Sequence, residues 1–176
     1  MKFEPAPLPG AFVITPERIY DERGFFARTW CRGDFGARGL DPEVAQCNIS
    51  MSRRRGTLRG MHYQRPPHAE AKLVRCTAGA LYDVIIDLRP SSSTFRRHFG
   101  IRLDPSEDRM LYVPEGFAHG FLTLEDDTAV FYQMSQRYEP SAAAGVRWND
   151  PAFGIAWPFE PAVMAERDRT YPDFQP

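Results

Sequence analysis

Cysteine is scarce: Cys31, Cys47 and Cys76 are the only three in 176 residues, an odd number without CxxC spacing. That excludes a disulfide framework and a cysteine-rich structural zinc site, and it points to a reducing, cytoplasmic setting. Cys47 and Cys76 fall in strand-like stretches and are expected as buried, inert thiols. Excess charge is missing too: 22 basic against 23 acidic residues leave a net charge of -1. Neither the basic footprint of a nucleic-acid binder nor the imbalance of a disordered chain is present. No run approaches the roughly 18 apolar residues of a membrane span, and Met1-Lys2-Phe3-Glu4-Pro5-Ala6-Pro7 lacks the apolar centre of a signal peptide. The expectation is a soluble, untargeted protein whose partner is neither nucleic acid nor membrane.

What the sequence does carry is a β pattern. Segments such as Leu81-Tyr82-Asp83-Val84-Ile85-Ile86-Asp87-Leu88 are rich in β-branched and aromatic residues, and Gly and Pro punctuate the apolar runs. The pattern predicts strands at 12–15, 45–51, 72–77, 80–88, 97–103, 110–113, 120–124 and 128–138. Turn signals at Ala78-Gly79, Pro90-Ser91-Ser92-Ser93 and Glu125-Asp126-Asp127 separate them. Helix is expected only at 32–38 and 161–167, with Pro105-Ser106-Glu107-Asp108 as a single turn. Many short strands at this spacing specify an all-β sandwich or jelly-roll barrel with a few short helices. The length fits one domain over 1–176. Segment 149–176 carries Pro151, Pro158, Pro161 and Pro172 with Phe153, Trp157 and Phe159, and is expected as an irregular tail packed back on the barrel.

Chemistry concentrates in Gly56-Thr57-Leu58-Arg59-Gly60-Met61-His62-Tyr63-Gln64, with Lys72 downstream. A cation, an imidazole, a phenol and an amine inside strand-like sequence need a ligand or a reaction to offset their burial. Arg59 and His62 are three residues apart, so on a regular strand they face opposite sides; a turn at Gly60 would let both enter one cavity. In Lys72-Leu73-Val74-Arg75-Cys76, alternation sets Lys72 on an inward face with Val74 and Cys76. An inward lysine either pairs with a buried carboxylate or offers charge to a developing oxyanion, and the residues alone leave both open. Val113-Pro114-Glu115-Gly116-Phe117-Ala118-His119-Gly120-Phe121 contains a tight turn that delivers His119 to the barrel mouth. Two histidines from two barrel motifs raise the question of a metal. Gln64 stands two residues after His62, however, and His68 and Glu70 lie in a Pro-rich loop without a compact set of three donors, so no metal or cofactor is expected. Tyr132 has a phenol suited to deliver a proton across a bound substrate. Asp168 lies in the charge run Ala165-Glu166-Arg167-Asp168-Arg169 and looks solvated; only a tertiary contact would make it the carboxylate that orients His62.

Together these segments resemble the dTDP-4-dehydrorhamnose 3,5-epimerase family over almost the whole chain. The matching pieces are Asp21-Glu22-Arg23-Gly24-Phe25-Phe26, Gly56 to Gln64, Lys72-Leu73-Val74-Arg75, Pro114 to Phe121, Gly145-Val146-Arg147-Trp148-Asn149-Asp150-Pro151 and Glu166-Arg167-Asp168. The resemblance implies a metal-free, cupin-like jelly roll, usually a homodimer, acting on a nucleotide-diphosphate sugar with a 4-keto-6-deoxy ring. It implies His62 as base, Asp168 as its partner, Lys72 as the positive charge at the enolate and Tyr132 as the proton donor on the opposite face. It also implies contacts to the nucleotide sugar from Arg23, Phe25, Arg28, Gln46, Asn48, Arg59, His119, Tyr138 and Arg167. Members that use dTDP typically have a glutamate where this chain has Arg28, and an acid in the loop where it has Ala142-Ala143-Ala144. CDP- and GDP-linked sugars therefore stand open beside dTDP, as does the choice of C3, C5 or both. A metal-dependent cupin enzyme and a non-catalytic sugar-binding module are the competing classes.

Overall fold

The computed structural model describes residues 1–175. Its strands are β1 (Lys2–Pro5), β2 (Phe12–Thr15), β3 (Ile19–Asp21), β4 (Gly24–Phe26), β5 (Gln46–Ser52), β6 (Thr57–Gln64) and β7 (Lys72–Ala78), continuing with β8 (Leu81–Asp87), β9 (His98–Leu103), β10 (Met110–Val113), β11 (Phe117–Thr123), β12 (Thr128–Met134), β13 (Ala143–Gly145) and β14 (Val163–Met164). Two short helices, α1 (Arg32–Gly36) and α2 (Glu166–Arg169), accompany them. One sheet runs β1-β2-β10-β7-β12-β5, a second runs β13-β6-β11-β8-β9 with β14 added to β6, and β3-β4 form a separate hairpin.

The apolar alternation explains the layering. Val74, Cys76, Leu111 and Val113 from the first sheet meet Leu81, Ile85, Phe117 and Phe121 from the second, filling the space between them. The opposite face of the first sheet, at Ile14, Leu73, Met110 and Tyr112, is covered by Phe35 and Leu40 from the α1 region. The opposite face of the second sheet, at Val84, Ile86 and Ala118, is covered by Val146, Phe153, Ile155, Trp157 and Phe174. A strand covered on both faces needs apolar residues at nearly every position, which is why β8 is buried almost throughout.

The expected all-β jelly-roll class is the observed one, with differences in detail. Val163 and Met164, expected as helix within 161–167, pair in parallel with Thr57 and Leu58. The free edge of β6 offers them backbone partners, and only residues 166–169 remain helical. The strand expected over 128–138 stops at Met134, where the Ser135 and Ala71 backbones close the ladder. Cys76 is buried and its thiol is pushed up to about 11, chiefly by burial. Cys47, expected as buried, is exposed. It lies on the edge strand β5, whose outward positions include exposed Ile49 and Met51.

One irregularity shapes everything downstream. Between β11 and β6 the register passes from His119 opposite His62 to Phe121 opposite Arg59, so two steps on β11 match three on β6. The surplus residue is a bulge at Gly60, and a bulge turns the residues on either side toward one face. Gly60 has φ of +149°, and a Cβ there would stand 2.5 Å from the Gly120 Cα. We expect Gly60→Ala to destabilise the fold by about 3 kcal/mol, because a methyl meets backbone at a conformation side chains rarely adopt. Thermal unfolding of the variant checks this; an unchanged melting temperature would remove the close approach from the account.

Candidate active site

The space between the sheets is apolar at one end and opens at the other into a cavity of about 640 Å³, inside the roughly 300–1,000 Å³ typical of small-molecule sites. Lys72 and Tyr132 reach it from the first sheet, Arg59, His62 and His119 from the second, and Arg167 and Asp168 from the tail. The bulge at Gly60 answers the spacing problem: Arg59 and His62 both line this cavity.

His62 Nε2 lies 2.7 Å from Asp168 Oδ1, and the other carboxylate oxygen accepts the Gly60 N–H at 3.3 Å. Asp168 is therefore no solvated residue of a charge run: its side chain is 4% exposed. The run's appearance is misleading because α2 is one turn long and presents one residue inward. Burial raises the Asp168 carboxyl, but the hydrogen bond and charge of His62, the Gly60 amide and Arg167 outweigh it, and the net shift is downward. An ionised carboxylate at this distance requires the proton on Nε2. The Arg167 guanidinium lies 3.3 Å from the same nitrogen, yet it has only donors to offer, so the shorter contact to the carboxylate defines the tautomer. Nδ1 is left to take a proton.

Lys72 lies on the inward face as alternation requires, and of its two alternatives the structure shows the pairing with a buried carboxylate. Its Nζ is 2.9 Å from Glu70 Oε1 and donates to the His62 carbonyl at 3.3 Å, while lining the cavity. Tyr132 belongs to the sheet facing His62, so the phenol and the imidazole approach the cavity from opposite walls. Burial raises the Tyr132 phenol, with Arg59 opposing, so it stays protonated.

His119 has a partner that sequence reasoning missed. Its Nε2 lies 2.6 Å from Asp83 Oδ1, and Asp83 is fully buried. The available signal was the alternation of Leu81 and Ile85, which sets Asp83 on the inward face of β8. Glu70 was weighed only as a metal ligand and was otherwise passed over, because a Pro-rich loop hides the position from any periodicity.

Arg59 donates to Ser52 Oγ and the Met51 carbonyl and has no carboxylate partner among the described residues, which leaves its charge for an anion. Tyr138 stands half-exposed on the cavity wall. Gln46 and Asn48 are one layer away: both approach Met134 Sδ, and Gln46 accepts the Tyr138 N–H at 2.8 Å. Arg23, Phe25 and Arg28 do not reach this cavity. Arg23 and Phe25 belong to the exposed β3-β4 hairpin, where Arg23 pairs with Asp21. The Gln64 side chain meets backbone groups, donating to the His68 and Arg137 carbonyls and accepting the Glu139 N–H. Among the described residues no three His, Cys, Asp or Glu side chains gather to hold a metal.

A protonated phenol facing a carboxylate-oriented imidazole, with an ammonium between the same walls, can remove a proton beside a carbonyl and return one from the other side. On a cupin-like jelly roll these features fit the class of isomerases that work by proton transfer. The comparisons give the family: the model for dTDP-4-dehydrorhamnose 3,5-epimerase matches residues 5–176. The chain is 42% identical to the enzyme of that name from Methanothermobacter thermautotrophicus, over 97% of this chain and 92% of that one. It superposes on the dTDP-4-dehydrorhamnose 3,5-epimerase of Elizabethkingia anophelis with a TM-score of 0.95 and 37% identity, covering 99% of this chain and 96% of that one. The Bacillus anthracis enzyme, whose crystal structure holds TDP and PPi, gives 0.94 at 37% identity over 98% and 99% of the two chains. The protein belongs to the dTDP-4-dehydrorhamnose 3,5-epimerase family and is an epimerase of nucleotide-linked sugars.

Because the Asp168 pKa is lowered on folding, its contribution to stability is complete above the ordinary carboxyl value of 3.8 and is lost as pH falls through the depressed folded value. We expect the stability gap between the wild type and Asp168→Asn to narrow steadily below about pH 5. Denaturant unfolding across that range checks the sign; a gap that widens on acidification would contradict it.

Proposed function

We propose that the protein epimerises a nucleotide-diphospho-4-keto-6-deoxy sugar through an enolate, with His62 as base and Tyr132 as acid. The observation that carries this reading is the placement of the two groups on facing sheets. The C4 ketone acidifies the hydrogens on C3 and C5. His62 Nδ1 takes one of them; the C–H electron pair becomes the enolate double bond, and the carbonyl pair moves onto oxygen. Lys72 stabilises that oxygen. Tyr132 then delivers its proton to the carbon from the other face as the ketone reforms, and the stereocentre is inverted. Solvent resets the two side chains.

Arg59, with no carboxylate partner, takes the diphosphate through its planar donor fork, and His119 and Arg167 add donors along the same wall. Tyr138, backed by Gln46 and Asn48, offers an aromatic face to the base at the cavity mouth. dTDP is the first nucleotide to test, and its diphosphate sugar is the substrate partner. Ala143 and Ala144 bring only methyl groups to this wall, which leaves CDP- and GDP-linked sugars as the second reading. Residues 1–176 act as one jelly-roll domain whose tail completes the site.

Arg23, Phe25 and Arg28 serve a neighbouring copy in a homodimer. The β3-β4 hairpin exposes Ile19, Tyr20, Phe25 and Phe26, and the edge strand β5 exposes Ile49 and Met51. Exposed apolar surface of this kind is what a self-complementary interface covers. Trp30, nearby in sequence, packs on Phe35 within its own chain.

Incubation with dTDP-, CDP- and GDP-linked 4-keto-6-deoxy sugars in D2O is expected to place deuterium at C3, C5 or both, and His62→Ala to slow this by about 10²- to 10⁴-fold. Absence of deuterium from all three nucleotides would overturn the reaction. Sedimentation is expected to give a dimer, and a mixture of Arg23→Ala and His62→Ala chains to recover activity through one intact site per hybrid; a monomer would remove the hairpin from the site.

A further inference from the structure

The pairing of Glu70 with Lys72 carries an inference about how the ammonium is kept ready. Both side chains are almost wholly inside: Lys72 is 9% exposed and Glu70 3%. Glu70 uses its two oxygens for two different donors. Oε1 faces Lys72 Nζ at 2.9 Å, and Oε2 accepts the Gln64 backbone N–H at 3.1 Å. A carboxylate accepts on both oxygens, whereas a carboxamide accepts on one and presents donors on the other. Glutamine therefore cannot replace glutamate without setting donor against donor. The loop that carries Glu70 is fixed at its next residue, where the Ala71 N–H donates to Ser135 Oγ at 2.9 Å and the Ala71 carbonyl accepts the Ser135 N–H at 3.0 Å. The carboxylate is held on a rigid support.

Lys72 has three N–H donors. One faces Glu70, a second is given to the His62 carbonyl at 3.3 Å, and the third remains for a ligand in the cavity. The carbonyl is on the same residue as the imidazole, so the donor that meets the substrate oxygen and the base that meets the substrate carbon share one fixed frame. We propose that Glu70 is a positioning residue for the epimerisation, holding Lys72 in its ammonium form and aiming its remaining N–H at the C4 oxygen. This rests on the reading of Lys72 as the group that stabilises the enolate.

The electrostatic surroundings make the carboxylate necessary. Besides Glu70, the charged or titratable groups sharing the cavity with Lys72 are Arg59, His62 and Tyr63 on β6, His119 on β11, Tyr132 on β12, Tyr138 just beyond it, and Arg167 and Asp168 on the tail. His62 and Asp168 are committed to each other, His119 to Asp83, and Arg59 and Arg167 are cations. Glu70 is the carboxylate in contact with Lys72 Nζ. On its far side Glu115 is raised by burial and by the charges of Asp41 and Glu70. Without a counter-ion, an amine this buried surrenders its proton more readily, since desolvation disfavours the charged form.

The test compares wild type, Glu70→Gln and Glu70→Gln/Lys72→Gln. On the nucleotide sugar that the wild type turns over, Glu70→Gln is expected to lower kcat by about 10²-fold, within the range lost with one oxyanion donor, to leave KM within about threefold, and to move the alkaline limb of kcat at least about one pH unit lower. A Glu70→Gln enzyme with the wild-type pH profile, or one impaired only in KM, would overturn the proposal. Thermal unfolding supplies an independent arm: the double variant is expected to regain stability lost by Glu70→Gln, because it removes the unpaired cation. If Glu70→Gln fails to fold and the double variant also fails, Glu70 serves the Gln64 backbone rather than Lys72, and the proposal is wrong. A wild type inactive on every sugar would instead overturn the reaction, while the unfolding arm would still decide the pairing.

Discussion

The hydrogen bond between His62 and Asp168 joins two parts of the chain that are 106 residues apart and makes a site out of them. His62 sits on a strand in the second sheet; Asp168 arrives at the end of a tail that has crossed the outside of that sheet. The carboxylate is bound on both oxygens, one by the imidazole and one by the Gly60 amide. The same residue that bulges the strand thus anchors the acid that orients the base. Burial by itself pushes the Asp168 carboxyl up, and these donors bring it below its ordinary value.

From that contact the rest of the arrangement follows. The tail reaches α2 only because β14 has a free stretch of β6 to pair with, beside the stretch taken by β13. Farther along, Tyr171 lies edge-on to the His62 ring and against Gly145, while Asp173 pairs with Arg147 and the Phe174 amide with Asp150. The chain beyond the dyad is fastened on both sides of it, which restricts how far Asp168 can drift. Charge is handled in local pairs throughout: His62 with Asp168, His119 with Asp83, Lys72 with Glu70. Arg59 stands outside these pairs, and an incoming diphosphate is suited to it.

Much of this was legible in the residues. Period-two alternation located β5, β7, β8, β9 and β10 and gave Lys72 its inward face, and the polar cluster from Arg59 to Gln64 marked the cavity wall without β6 itself being delimited. What periodicity could not show was anything set by pairing between distant segments. The short strands β1, β3, β4, β13 and β14 have too few residues for alternation to register. Asp168 looked solvated because its burial depends on where the tail docks, and Asp83 was hidden inside a strand that is buried almost throughout. Cys47 was misjudged for a related reason: a strand pattern does not reveal whether the strand lies at the edge of its sheet. Arg23, Phe25 and Arg28 were grouped with the site by family resemblance, whereas the chain's own topology leaves them outside its cavity.

The central claim is that Asp168 holds His62 as the tautomer with the proton on Nε2 and Nδ1 free to act. Nitrogen-15 NMR of the imidazole, with His62 assigned by comparison with a His62→Ala sample, reads this directly. The account predicts a protonated Nε2 and an unprotonated Nδ1 at neutral pH, a preference lost in Asp168→Asn. A His62 ring protonated on Nδ1 instead, or one indifferent to Asp168, would contradict it.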